Sequence, residues 1–297
     1  MASRSRVIAV VNQKGGVGKT TTAVNLAACF AASERATLLV DLDPQANASS
    51  AFGIGDTPRQ VYDAIIGRCV IKDVACPTAL SHLHVVPAGQ DLVGAEVELV
   101  SAMSRERRLE SALADVREDY ELIVIDCPPS LGLLTLNALT AADSILIPLQ
   151  CEYYALEGLA RLLETVDLVR AHLNPGVALE GIALTMVDLR NNLSRQVERE
   201  VRGHFGEKVY RTRIPRNVRL SEAPSHGKPI ILYDIQSRGA VAYLRLAEEV
   251  LSGIGQVGPP RKPPELPAPG AETGESPVAS GGPDLPEESD LSEGGVR

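Results

Sequence analysis

The sequence predicts a doubly wound α/β fold, a mainly parallel sheet with helices on both faces. Two observations carry this. Seven short runs, at 7–11, 37–40, 83–86, 122–125, 144–149, 182–187 and 209–214, are mostly rich in Val, Ile and Leu with little polar alternation. That is the pattern of strands covered on both faces. Between them lie longer amphipathic stretches, with helices expected at 20–32, 105–117, 133–142, 156–172, 195–205 and 240–251. Alternation of strand and helix builds a parallel sheet, whose ligand site lies at the carboxyl ends of the strands.

Taken in order, the run 7–11 leads straight into a glycine-rich segment and then into the helix at 20–32. The runs at 37–40 and 122–125 each meet an aspartate, Asp41 and Asp126, as they end. The run at 209–214 is followed by Pro215 and an arginine-rich segment. The last helix carries Leu244, Ala247 and Leu251 at helical spacing.

Composition bounds the function classes. The 297 residues are 44% hydrophobic and 23% charged, which excludes a wholly disordered chain. No apolar run reaches the roughly 18 residues that span a bilayer. The stretch 7–11 is too short for a secretory signal. Five cysteines form no CxxC pair and read as reduced, cytoplasmic and mostly buried. Among them Cys127 reads as a packed thiol, and His82 with His84 as a surface pair rather than a metal site. The net charge of −9 argues against a uniformly basic nucleic-acid binder. Residues 256–297 hold nine of the 20 prolines, no aromatic residue, three basic and eight acidic side chains. That stretch cannot bury enough apolar surface to fold, so it is expected to be a disordered tail on a folded body over 1–255.

The segment Asn12-Gln13-Lys14-Gly15-Gly16-Val17-Gly18-Lys19-Thr20-Thr21 joins the first strand to the first helix. Glycines let the backbone curl so that several N–H groups face one anion, and the helix N-terminus adds its partial positive charge. Lys19 suits the outer phosphates of a nucleotide and the Thr20 hydroxyl suits Mg²⁺. Gln13 stands where the generic phosphate loop has its first glycine, and a second lysine, Lys14, follows it. The segment therefore resembles the deviant Walker A motif, K-G-G-x-x-K-[ST], of the P-loop NTPases that include ParA, Soj, MinD and the nitrogenase iron protein. The resemblance implies that Lys14 reaches across an ATP-dependent homodimer to the phosphates held by the partner chain. A cation so delivered offsets charge on the transferring phosphoryl group.

Asp41-Leu42-Asp43-Pro44-Gln45 places two carboxylates just past a strand. In the resembled family the aspartate matching Asp43 orients the attacking water and the one matching Asp41 supports the metal shell. The run Leu122-Ile123-Val124-Ile125-Asp126 looks like a Walker B strand, with Asp126 holding Mg²⁺ through a water. Cys127-Pro128-Pro129-Ser130 then resembles a switch that senses the γ-phosphate. Ile214-Pro215-Arg216-Asn217 reads from its residues only as a polar loop after a strand. In ParA/Soj relatives the positions matching Pro215 and Asn217 touch the adenine.

Residues 190–219 contain nine basic and three acidic residues within an acidic protein. Such a stretch is either a solvated, ion-paired face or a surface for DNA phosphates. Arg195, Arg199 and Arg202 fall on one helical face. In Soj-type proteins the arginines matching Arg190 and Arg219 contribute to a DNA surface completed by dimerisation, and Lys228 and Arg238 extend it here. Binding to double-stranded DNA is expected to be non-specific and salt-dependent.

Residues 6–253 as a whole resemble a chromosomal ParA/Soj-type partition ATPase. Ala155-Leu156-Glu157-Gly158, Leu220-Ser221-Glu222-Ala223-Pro224 and Ser237-Arg238-Gly239-Ala240 add to the likeness. The resemblance implies an ATP hydrolase that takes ATP and Mg²⁺, dimerises, binds the nucleoid, and is stimulated to release by a ParB-like partner. Positioning a protein cluster, regulating replication initiation, or a MinD-like membrane role remain alternatives. The last would need a basic-edged amphipathic C-terminal helix where this chain has an acidic, proline-rich stretch.

Overall fold

The computed structural model describes residues 5–152, 154–188, 190–253 and 263–266. Apart from 263–266, the tail expected at 256–297 lies outside the described residues. The strands are β1 Arg6–Val10, β2 Thr37–Asp41, β3 Cys76–Pro77, β4 Leu83–Val86, β5 Leu122–Asp126, β6 Ser144–Gln150, β7 Ala178–Val187 and β8 Val209–Pro215. They form one sheet in the order β3-β4-β2-β5-β1-β6-β7-β8. All seven expected runs are strands, and they pair in parallel. The added strand, β3, is two residues long and antiparallel to β4. A pair of residues containing proline carries no periodicity from which a strand could be read.

The apolar runs are continuous because both faces of the sheet are covered. Val7 and Ala9, Leu38 and Val40, Ile123 and Ile125 pack on one side with the helices Leu133–Ala141, Ala155–His172 and Asn192–Phe205. Their alternate neighbours Ile8 and Val10, Leu39, Leu122 and Val124 pack on the other with Lys19–Ala32 and Arg238–Gly253. Each buried Val, Leu or Ile among them stabilises the fold by about 1.5–3 kcal/mol relative to exposure. The β8 edge is closed by Glu249 of the last helix, whose carboxylate accepts the backbone N–H of Arg211 at 2.7 Å and of Thr212 at 2.8 Å. Capping an edge this way removes donors that another strand could pair with.

The expected helix at 105–117 is broken into the 3₁₀ turn Arg105–Arg107, the helix Arg108–Leu113 and the 3₁₀ turn Ala114–Val116. Asn137 explains the first break. Its Oδ1 accepts the Leu109 N–H at 3.1 Å and its Nδ2 donates to the Arg105 carbonyl at 2.8 Å. A buried side chain thus takes the groups a helical turn would pair. Among the described residues no helix is long and apolar enough to cross a membrane.

Gly181 of β7 lies under the Tyr210 ring, and a Cβ there would stand 2.6 Å from a ring carbon. Gly181→Ala therefore forces a partly buried ring to move, with an expected loss of about 1–3 kcal/mol in urea unfolding. A loss below about 0.5 kcal/mol would mean that this contact yields freely.

Candidate active site

The phosphate loop runs from the end of β1 to the helix at Lys19. Gly16 and Gly18 have φ of +73° and +87°, the left-handed region open to glycine without strain. Two buried side chains hold the curl. Asn12 donates from Nδ2 to the Pro148 carbonyl at 2.7 Å and accepts the Lys14 N–H at 3.0 Å. Thr185 donates its hydroxyl to the Val17 carbonyl at 2.8 Å. Lys19 is only 6% exposed and donates to the Lys14 carbonyl at 3.1 Å. Burial lowers its pKa, against the opposing pull of Asp126, Cys127 and Asp43. Lys14 points outward and pairs with Glu152, both side chains nearly half exposed.

Parallel pairing of β2 with β5 sets Asp41 opposite Asp126 in register. Both are fully buried, yet their surroundings differ. Asp41 accepts the Ser49 N–H at 2.8 Å and its hydroxyl at 2.7 Å on one oxygen, and the Asp43 N–H at 3.2 Å on the other. Its pKa is nonetheless pushed up to about 6, chiefly by burial. Neither oxygen of Asp126 has a hydrogen-bond partner. Thr20 approaches that carboxylate closely enough to favour its charge, as does Lys19, but no well-formed bond closes. Burial, and then the charge of Asp41, push the Asp126 carboxyl well above the usual range. Asp43 is buried beside Lys19 and accepts the Gln45 N–H at 3.0 Å.

An orphaned buried carboxylate beside a threonine hydroxyl and a lysine fits a magnesium–polyphosphate group. Among the described residues no three His, Cys, Asp or Glu side chains cluster as a self-sufficient metal site. The donor set is that of a hard cation completed by phosphate oxygens and water. Asp126 and Thr20 are free to serve it. Asp41 has both oxygens engaged and acts by holding the 41–49 loop.

A cavity of about 740 Å³ continues from Gly18, Thr20 and Thr21 to Pro215 and Asn217. The two expected base-contact residues therefore meet the phosphate loop across one space. Asn217 also caps the helix Val218–Glu222, its Oδ1 accepting the Arg219 N–H at 2.8 Å. The cap uses one lone pair of that oxygen, so the second lone pair and the NH₂ group are left to meet a ligand.

The four basic residues expected to bind DNA do not share one pocket. Lys228 lines the nucleotide cavity. Arg238 lines a separate groove with Arg211, Arg213 and Arg245. Arg190, 91% exposed, pairs with Asp188, and Arg219 pairs with Glu222 and Asp234. Arg202 and Arg213 converge on Glu198, each at 2.7 Å, so the helical face with Arg195 and Arg199 is partly neutralised. Cys127 is buried with its thiol pKa well raised. His84 is not at the surface as expected. It is buried, with Nδ1 2.8 Å from the Tyr120 hydroxyl, because β4 is covered on both faces.

Several supporting residues left no local signal. Asn12, Ser49, Glu152 and Thr185 act across 39 to 168 positions of sequence or through an eight-residue loop, and no short motif marks them. Arg245 lies outside the stretch whose charge drew attention.

A carboxyl with a raised folded-state pKa keeps a proton that the unfolded chain, near pH 4, gives up. Stability therefore falls as pH rises through that window toward the folded value. Asp126→Asn is expected to raise the melting temperature of the ligand-free protein at neutral pH, with the advantage shrinking toward pH 4. Calorimetry at several pH values checks this, and an advantage that does not shrink would rule out titration as the cause.

A family model described as an AAA domain matches residues 5–179. The chain is 59% identical over 247 residues to the sporulation initiation inhibitor protein Soj of Bacillus subtilis, across 82% of this chain and 98% of that one. It is 58% identical over 252 residues to the chromosome partitioning protein ParA of Myxococcus xanthus, across 84% and 89%. Its fold matches cobyrinic acid a,c-diamide synthase from Mycobacterium smegmatis, solved with bound ADP and magnesium. That match has a TM-score of 0.75 and 36% identity over 87% of this chain and 100% of the other. By its identity to these relatives and by its phosphate loop, the chain belongs to the ParA/Soj family of chromosome-partitioning proteins.

Proposed function

We propose that this protein is a chromosome-partitioning ATP hydrolase whose ATP-bound form dimerises and binds DNA without regard to sequence. The observation that carries the chemistry is the meeting of Lys19, Asp43 and the unpartnered Asp126 at the mouth of the phosphate loop. Loop N–H groups and Lys19 hold the phosphates. Magnesium, on Thr20 and through water on Asp126, would neutralise charge on the phosphate oxygens. Asp43 orients the attacking water, the main task a protein has in phosphoryl transfer to water. Asp41 keeps the Asp43 loop in place through Ser49.

Lys14 is the cation suited to act on a partner's nucleotide. Its pair with Glu152 is half exposed, and such surface pairs contribute about 1 kcal/mol or less. Release into a dimer interface therefore meets little resistance. ATP then stabilises the dimer by mass action, since it binds the state whose interface it completes. Arg190, Arg219 and the groove of Arg211, Arg238 and Arg245 supply cations for DNA phosphates. A ParB-like partner that completes the catalytic arrangement would trigger hydrolysis and release, placing the working protein at the nucleoid.

Asp43→Ala is expected to bind ATP normally, hydrolyse it about a hundredfold or more slowly, and remain on DNA. Phosphate release at the parental rate in single turnovers would remove Asp43 from its role. Arg219→Glu is expected to weaken ATP-dependent DNA binding and to flatten its dependence on salt by about one counterion. Unchanged affinity and slope would move the DNA surface elsewhere.

A further inference from the structure

The far end of β7 breaks a rule of strands. Successive side chains should point to opposite faces. Yet Thr185 and Met186 both stand over Gly18, where a Cβ would lie 3.9 Å from Thr185 Cγ2 and 3.9 Å from Met186 Cε. Both also line the nucleotide cavity. The alternation fails because Met186 has φ +48°. Pairing with β8 is irregular over the same residues, between Leu184 and Val187.

That conformation is costly for methionine, which has a Cβ and no short polar group to offset it. Glycine, asparagine or aspartate would fit more easily. The strand is held on either side of the residue. Thr185 is tied to the Val17 carbonyl, and Val187 is in register with Pro215. Met186 itself is only partly buried, so core packing does not explain it. Strain of this kind persists where the surroundings over-determine it, and it gathers at ligand sites. Thioethers are flexible and polarisable and pack well against aromatic rings.

We propose that Met186 is a positioning residue for the nucleoside half of ATP. Its left-handed backbone turns the thioether into the cavity between the phosphate loop and Pro215, where it packs on the purine. Pro215 and Asn217 bound the same end of the cavity. The inference rests on the nucleotide reading given above and assigns to that site a residue no motif marks.

The test compares Met186→Gly and Met186→Leu with the parent by calorimetric titration with ATP and with ADP, and by thermal melting without nucleotide. Glycine relieves the backbone and removes the side chain, so the variant should melt no lower than the parent. It should bind ATP and ADP about three- to tenfold more weakly, both by the same factor. Met186→Leu keeps an apolar side chain of similar length and should recover most of that affinity. Unchanged affinity in Met186→Gly overturns the proposal, as does a loss confined to ATP, which would place the side chain at the γ-phosphate. A lower melting temperature overturns the claim of strain. A parent protein that binds neither nucleotide overturns the nucleotide reading itself, and is thereby told apart from failure of Met186 alone.

Discussion

Everything at this site depends on a like-charge pair that the sheet cannot avoid. Parallel pairing of β2 and β5 brings Asp41 and Asp126 into register at the carboxyl edge, both out of water. Burial raises the pKa of both, and the charge of Asp41 raises that of Asp126 further. The protein resolves the conflict unequally. Asp41 receives three hydrogen bonds and becomes part of the scaffold. Asp126 receives none of good geometry and is left with Lys19 as its nearby cation. Of the pair, Asp126 keeps both oxygens without a hydrogen bond, as the proposed magnesium contact requires.

The remaining architecture keeps this arrangement rigid. Apolar layers on both faces fix the strands, and closely packed interiors do not deform continuously. Two long-range polar contacts then tie the phosphate loop to the sheet, Asn12 to Pro148 and Thr185 to Val17, while Lys19 closes the loop on its own Lys14 carbonyl. Asn25 links the first helix to the base end of the cavity, its Oδ1 accepting the Ile230 N–H at 2.8 Å. Both ends of the cavity are thereby joined to the same sheet and first helix.

Charge follows a different logic. The arginine-rich stretch reads in sequence as a single basic feature, but it divides by tertiary contact. Arg202 and Arg213 are drawn to the buried Glu198 and support the join of the helix Asn192–Phe205 to β8. Arg211, Arg238 and Arg245, from two different elements, meet in a groove that Arg213 also lines. A count of arginines cannot distinguish these fates, because a residue's partner is chosen across the fold.

The sequence by itself determined the alternation of strands and helices, the curled loop at Gly16 and Gly18, and the carboxylates Asp41, Asp43 and Asp126. These are local matters. Periodicity marks a strand covered on both faces, and glycine marks a backbone that must turn left. It missed β3 and the break at Arg105–Arg107, because a two-residue edge strand has no period and Asn137 acts from another helix. Tertiary structure alone decided that Asp41 faces Asp126, that His84 is buried against Tyr120, which arginines meet in one groove, and that Met186 turns into the cavity. Each of these depends on strand order and register. Both are set by which surfaces bury each other across the whole molecule, a quantity that no short stretch of sequence contains.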